Sequence, residues 1–429
     1  MRLLPAFALI AASTAHGHGD VRPTEGQKIS FPDTEGRHTV VVDLHTHSVF
    51  SDGHVWPTIR VREAERDGID GIAITEHLEW QPHIEDIPHQ DRNRAYEEAA
   101  RSGSGLDLMV IPGAEITRSD AAGHMNAVFV KDANALVAQR DAHTYQAEHR
   151  FPTREEAERF AADAGQLGAH AATEAGSDFW APFADRSTYV VLANYGTAST
   201  RPAREVLEEA KRQDAFVFWN HPSFETPNAE LNDFHRDAIE ADLLSGVEVA
   251  NGGRYYPNAH RLALKHNLAL IGTSDVHELI AWDYEGRFRP VTLVLAEDRT
   301  PAAVKRALYE RRTVIWQDEL LIARTAEMTA LLEASLVVSK SGWYGSGSVA
   351  WAELENRSSA VLVVRNEGGG VTGRSTIGQP GPVRIEPHSS KRLSLGLDAR
   401  ASSVELRLTV LNALVAPQEP AKLRLILQP

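Results

Sequence analysis

Short apolar runs, each closed by a polar or charged tip, recur from Thr39 onward: Thr39–Leu44, Gly71–Thr75, Leu108–Ile111, Asn126–Val130, Ala215–Trp219, Gly246–Val249, Leu268–Ile271 and Val291–Leu295. Continuous apolar runs of this length fit strands buried on both faces, as in a parallel sheet. Helical patterns fall between several of them. Pro57–Asp67 carries Ile59, Val61 and Ala64 and stops at Gly68. Thr153–Leu167 opens with a Thr153…Glu156 capping box. Arg201–Asp214 has Pro202 in its first turn, and His260–His266 lies between two strands. Strands alternating with helices predict an α/β barrel or an open parallel sheet, with chemistry at the C-terminal ends of the strands. The long interval between Val130 and Ala215, including Ala171–Thr200, is read as extra packing on the barrel or a lid carrying specificity.

The texture changes after Trp316. Asp318–Leu332 is expected to be a helix between domains. From Ser335 onward small and β-branched residues dominate, with turn clusters at Ser341-Gly342, Gly345-Ser346-Gly347, Glu367-Gly368-Gly369-Gly370 and Gln379-Pro380-Gly381 and strands at Val361–Val364 and Val404–Leu411. This predicts a β-sandwich of about 95 residues. The division is 1–19 an export signal and arm, 20–38 a linker, 39–316 the barrel, 317–334 a linking helix and 335–429 the sandwich.

Composition narrows the chemistry. The 429 residues carry a formal charge of −15, which disfavours general nucleic-acid binding. There is no cysteine, so disulfides, thiolate catalysis and thiolate ligands are excluded. A transition metal would be held by His, Asp and Glu, a set suited to zinc, manganese or iron, and 19 histidines are available. Met1–Ala15 has one basic residue, a short apolar run and small residues at Ser13 and Ala15. It reads as an export signal cleaved near Ala15, placing the protein in the periplasm or outside the cell, with the cytoplasm as the alternative. No run reaches the roughly 18 apolar residues of a spanning helix.

Candidate ligands collect at the strand ends. Residues two apart in a strand face the same side, so His45 and His47 can bind one ion together. Asp52 follows in Ser51-Asp52-Gly53. His77 ends Thr75-Glu76-His77, Glu115 ends Gly113-Ala114-Glu115, His124 opens Gly123-His124-Met125, and His221 lies in Asn220-His221-Pro222. Asp275 and His277 form a second pair two apart. So many charged and imidazole groups at one end of one sheet would be unpaired without cations. Arg118, Arg254, Arg287 and Arg289 follow these motifs and are candidate anion contacts, since an arginine fork matches phosphate. His54, His83 and His89 read as rim residues, and His16, His18, His38 and His388 as incidental.

In this order, H-T-H-S with S-D-G, T-E-H, G-A-E, G-H-M-N, N-H-P and S-D-V-H resemble the polymerase-and-histidinol-phosphatase (PHP) family over roughly Val40 to Thr313. The resemblance implies a distorted (β/α)7 barrel, here followed by an immunoglobulin-like β-sandwich, with Thr300–Val314 as the closing helix. It implies two or three divalent ions. His45, His47, Glu115 and Asp275 would hold the first. Glu115 would bridge to a second, completed by His124 and His221, and Asp52, His77 and His277 would hold the third. Glu76 stands where the family usually has Asp, and Asp52 where some members have His. The implied activity is hydrolysis of a small phosphomonoester or phosphodiester, with Asp275, His277 and Glu115 as catalytic candidates and dimerisation through the C-terminal domain. Two alternatives stay open. One is amide, carbamate or carboxyl-ester hydrolysis at the same site, favoured by an apolar mouth of Trp56, Trp180 and Phe183. The other is a non-catalytic metal-binding module.

Overall fold

The computed structural model describes residues 28–429, apart from 84–85, 88–90, 119–120, 138–144, most of 152–200, 223–228, 285, 368–380 and 398. Met1–Ala15, read above as an export signal, and His16, His18, His89, Trp180 and Phe183 lie outside the described residues.

Seven strands form the ring that carries the site: β1 (His38–Asp43), β2 (Gly71–Ile74), β3 (Met109–Ile116), β4 (Met125–Val128), β5 (Phe216–Trp219), β6 (Gly246–Asn251) and β7 (Ala269–Thr273). β1, β2 and β3 run parallel, as do β5, β6 and β7. β4 is antiparallel to both β3 and β5. The expectation of an all-parallel arrangement is corrected here: only about eight residues separate β3 from β4, too few for a crossover and enough for a hairpin. β7 meets β1 only at the mouth. Thr46 and Val276 make an isolated parallel bridge, with the His47 N–H donating to Val276 O (3.1 Å) and the Asp275 N–H to His45 O (2.9 Å). The barrel is therefore distorted and joined at its C-terminal rim, where the ligand residues stand.

Alternation decides which side chains fill it. Val40, Val42 and Leu44 join Ala73, Ile111, Val128, Phe216, Phe218, Ala269 and Ile271 in one core. Val41, one position out of phase, packs in a different core together with the C-terminal domain. The helix Pro57–Asp67 follows β1, with Pro57 at its start and Gly68 in the left-handed conformation at its end (φ 75°).

The eighth apolar run lies outside the ring. It forms β8 (Val291–Ala296), antiparallel to β1 and to the Thr313–Gln317 strand. The expected Asp318–Leu332 helix is corrected too. Asp318 turns the chain (φ 51°) into a hairpin, Leu320–Ala323 pairs back on Thr313–Gln317, and the helix occupies Thr325–Ser335. The buried Leu321, Ile322 and Ala323 are stabilised more by sheet burial than they would be on a helix surface. Leu320–Ala323 also runs parallel to Val404–Ala416, so one sheet continues from barrel to sandwich. Met328, Leu331 and Leu332 pack in a core shared with sandwich residues such as Leu354, Leu362 and Leu406. The second sandwich sheet is Leu336–Trp343, Val349–Asn356 and Ser390–Gly396.

The Val130–Ala215 interval contains a separate antiparallel sheet of Tyr145–Phe151, Tyr189–Tyr195 and Ala169–Ala172, which the sequence pattern did not announce. Thr153 Oγ1 accepts from the Glu156 N–H at 3.3 Å, as its capping box predicts. The rest of that helix lies outside the described residues.

Candidate metal centre

His45 and His47 leave β1 with their rings turned to one side. His45 Nδ1 lies 2.8 Å from Glu248 Oε1, and a carboxylate there holds the proton on Nδ1 and bares Nε2. The Ser51 hydroxyl donates to Glu76, so its oxygen accepts from His47 Nδ1 (3.3 Å), which bares the Nε2 of His47 as well. The two Nε2 atoms then face each other at 3.0 Å. Asp275 Oδ1 stands 3.1 and 3.2 Å from them, and Glu115 Oε2 stands 3.6 and 3.4 Å away. Four ligand atoms about 2.1 Å from a tetrahedral ion lie roughly 3.4 Å apart. The five spacings above, from 3.0 to 3.6 Å, are close to edges of such a polyhedron. Glu115 Oε2 is buried and makes no aligned hydrogen bond to the rings around it. This donor set fits a divalent cation.

The remaining donors surround that group. Glu115 Oε1 lies 3.1 Å from His124 Nδ1 and 3.7 Å from His221 Nε2. Asp52 meets His77 Nε2 at 3.3 Å and His277 Nε2 at 3.0 Å. All nine expected ligand residues therefore converge. Their grouping differs from the expectation: His47 also joins Asp52, His77 and His277, and His77 rather than His221 joins Glu115 and His124. His77 serves two groups: Nδ1 faces Glu115 Oε2 at 2.8 Å while Nε2 faces Asp52. His47, Asp52, His77 and His277 offer atoms within 4.8 Å of one another, as do His45, His47 and Asp275, and as do His77, Glu115 and His124.

Burial and charge oppose each other throughout. Burial pushes the Glu115 carboxyl up, but His77, His45 and His124 outweigh it and hold the group well below the usual carboxylate range. Asp52 behaves alike under His277 and His77. Burial resists charge on His45, yet Asp275, Glu248 and Glu115 lift it well above an ordinary imidazole. Burial, His277 and His77 lower His47 to about 3, which keeps that ring neutral. Asp52 and the neighbouring Asp275 raise His277 to about 9 against its burial.

Several positioning residues escaped the sequence reading. Glu248 Oε1 also accepts from Thr273 Oγ1 (2.6 Å), and Oε2 accepts from the His221 N–H (2.6 Å) and Asn251 Nδ2 (2.8 Å). His221 has a left-handed backbone (φ 23°), as does Asp275 (φ 51°), each costing on the order of 1 kcal/mol. The Glu248 bond fixes the first, and the Asp275 N–H bond to His45 O fixes the second. The one available signal for Glu248 was a charge inside the apolar stretch Gly246-Val247-Glu248-Val249-Ala250. Arg60, fully buried on the first helix, donates to the carbonyls of His47 (2.8 Å), Val276 (3.2 Å) and Glu278 (2.6 Å), clamping both halves of the rim. Asn220 Nδ2 donates to Glu115 Oε1 at 2.7 Å. Glu76 accepts from the Ser48 and Ser51 hydroxyls and the Ser48 N–H (3.1 Å), so it shapes the loop carrying Asp52. Gly53 closes that loop, where a Cβ would stand 2.7 Å from Ser48 N.

The four arginines divide. Arg289 is buried against Asp67 (2.9 Å) and Asp43 (3.4 Å), which removes it from any substrate. Arg118 is buried against Glu79 and likewise taken. Arg287 is half-exposed, pairs with Asp318 (3.2 Å) and lies over the Tyr284 ring. Arg254 is exposed on the short strand paired with Asn251, at the same rim. His54 pairs with Glu278 at 2.5 Å and its ring lies 5.9 Å from His83, both at the edge of the site. His38 pairs with Asp33 and His388 with Ser359, away from the ligands. Trp56, the described part of the expected apolar mouth, is exposed and rests on Phe50.

Comparison with known proteins bears on the fold and on the family. Residues 43–176 match the PHP domain family, and residues 336–426 match an Ig-like domain family. The chain is similar to a two-domain protein from Bacteroides vulgatus described as containing a predicted PHP-like metal-dependent phosphoesterase. The identity is 29% and the TM-score 0.73, covering 94% of this chain and 98% of that one. An amidohydrolase from Chromobacterium violaceum, with bound sulfate and no metal, shares 16% identity at a TM-score of 0.37, over 64% of this chain and 97% of that one. A lesion-specific endonuclease from Pyrococcus furiosus shares 13% at 0.36, over 71% and 63%. These last two overlap too little to inform the chemistry. No curated protein matches the chain.

Proposed function

We propose that this chain, which carries a PHP domain followed by an Ig-like domain, hydrolyses a small phosphomonoester or phosphodiester with two or three divalent ions of zinc, manganese or iron. The observation that carries the reading is the convergence of His45 Nε2, His47 Nε2, Asp275 Oδ1 and Glu115 Oε2 at polyhedral spacing. When bound, divalent ions in such a site acidify water and neutralise charge developing on phosphoryl oxygens.

The chain's own residues divide the remaining work. Glu115 offers one oxygen to the His45–His47 group and the other to His124 and His221, so it would link adjacent ions. His45 and His47 form a floor closed to water. The His277 side chain is 32% exposed, Asp275 18% and His124 17%, so substrate would enter over these three. Asp275 and His277 stand where a proton can pass between the entry face and the cluster. Arg254 would pair with an anionic group of the substrate outside the ions. Arg287 would help only after leaving Asp318. Export directed by Met1–Ala15 and dimerisation through the C-terminal domain belong to the same proposal. Cell fractionation tests the first and sedimentation the second.

The test of function is purification with zinc or manganese, elemental analysis, and parallel assays on aryl phosphates and the matching carboxyl esters and carbamates. Metal-dependent release from phosphates is expected. Turnover of carboxyl esters or carbamates with none of phosphates would overturn the reading.

A further inference from the structure

The Arg118–Glu79 pair lies outside the ligand cluster, and its contacts run toward His77. Glu79 Oε2 accepts from the Thr117 N–H at 2.8 Å, and the Thr117 hydroxyl lies 2.5 Å from His77 Nδ1. The other Glu79 oxygen takes an Arg118 NH1 proton. NH1 also reaches Thr117 O (3.3 Å), and NH2 donates to Arg201 O at 3.0 Å. Arg201 in turn donates to Ala135 O. In sequence, Ala135 and Arg201 flank the Tyr145–Tyr195 sheet of the long interval between β4 and β5. The Arg118 side chain is 6% exposed and that of Glu79 17%, so the pair is shielded from water and held in one geometry.

We propose that Arg118 and Glu79 are positioning residues for the His77 ligand, tying its ring orientation to the chain that flanks that sheet. His77 approaches Asp52 (3.3 Å) and Glu115 (2.8 Å) more closely than His47, the other ring between them, does (3.6 and 3.4 Å), so its orientation bears on whether both groups are completed. Thr117 is the contact through which this is done. Its hydroxyl meets His77 and its amide is pinned by Glu79, which Arg118 NH1 holds at its other oxygen. Arg118 touches no ligand directly and stays bound to Glu79 and Arg201, so its role is positional and not the anion contact its place in the sequence suggested. Outer groups that orient metal-binding histidines are typically worth 10–100-fold in metal affinity.

This inference rests on the proposed metal centre, and its test separates the two. Zinc is titrated into metal-free protein against a chromophoric chelator, with folding checked by near-ultraviolet circular dichroism. Arg118→Met leaves Glu79 buried without its cation and risks misfolding, so the double variant E79Q/R118M, which removes both charges, accompanies it. The double variant is expected to fold and to bind its weakest zinc 10-fold or more less tightly than the wild type. Arg118→Lys keeps one charged contact to Glu79 and is expected to recover most of that loss. A folded double variant that binds every zinc within about twofold of wild type overturns the inference and leaves the metal centre standing. A wild-type protein that binds no zinc overturns both.

Discussion

Replacing Glu248 with Gln probes how the cluster is held while changing one atom. In the wild type both Glu248 oxygens only accept, from His45 Nδ1, Thr273 Oγ1, the His221 N–H and Asn251 Nδ2. A glutamine amide supplies one oxygen and one NH2 in the same volume. Whichever way it sits, one pair of these donors meets an NH2. If the NH2 faces His45, the proton on that ring moves to Nε2, the atom that should bind the ion. If it faces His221, the bond holding the φ 23° backbone is lost. Either outcome is expected to weaken metal affinity 10–100-fold, or about 1.4–2.7 kcal/mol. The assay is zinc competition with a chelator, alongside thermal melting of the metal-free protein. A folded Glu248→Gln protein with wild-type affinity would refute the argument that Glu248 sets the tautomer and the backbone.

Other expectations follow from the same contacts. Arg254→Ala should raise KM for phosphate esters about tenfold with kcat changed less than threefold, since it removes one charged contact made equally in ground and transition states; steady-state kinetics checks this. Arg289→Met leaves Asp43 buried without its cation and Asp67 with Arg66 alone, so it should cost about 3–5 kcal/mol in denaturant unfolding while changing zinc affinity less than Glu248→Gln does. Burial against Trp219 and its neighbours lowers His235 to about 4, with Nε2 bonded to Ala122 O at 3.1 Å. The unfolded chain takes up this proton near pH 6.5 and the folded protein only near 4. The resulting stability, about 3 kcal/mol, is complete above pH 6.5 and is lost as pH falls toward 4. In melts with chelator present, His235→Gln should flatten that part of the acid slope relative to wild type, and an unchanged slope would count against it.

The ligands were legible in the sequence because the requirement is local. Donors two apart at the end of an apolar run must share a face, and His45, His47, Asp275 and His277 announce themselves that way. The partners that aim them were not legible. Glu248 hides in an apolar strand, Arg60 reads as an ordinary helix surface charge, and both act on residues far away in sequence. Strand direction was hidden for the same reason. Asn126–Val130 and Val291–Leu295 have the apolar texture of parallel strands, and only their partners make them antiparallel. Leu320–Ala323 reads as helix until Leu321 and Ile322 find Ala413 and Leu414 across the domain boundary. Arg118 and Arg289 show the limit of placing a charge by its neighbours in sequence, because buried carboxylates claim both.

The most direct test of the central claim is metal stoichiometry by elemental analysis after equilibrium dialysis against zinc or manganese, on wild type and on the His45→Ala/His47→Ala double variant. The account predicts more than one bound equivalent in the wild type, with loss of metal and of phosphoesterase activity together in the variant. A folded wild type without bound metal, or a variant that keeps its activity after losing its metal, would contradict it.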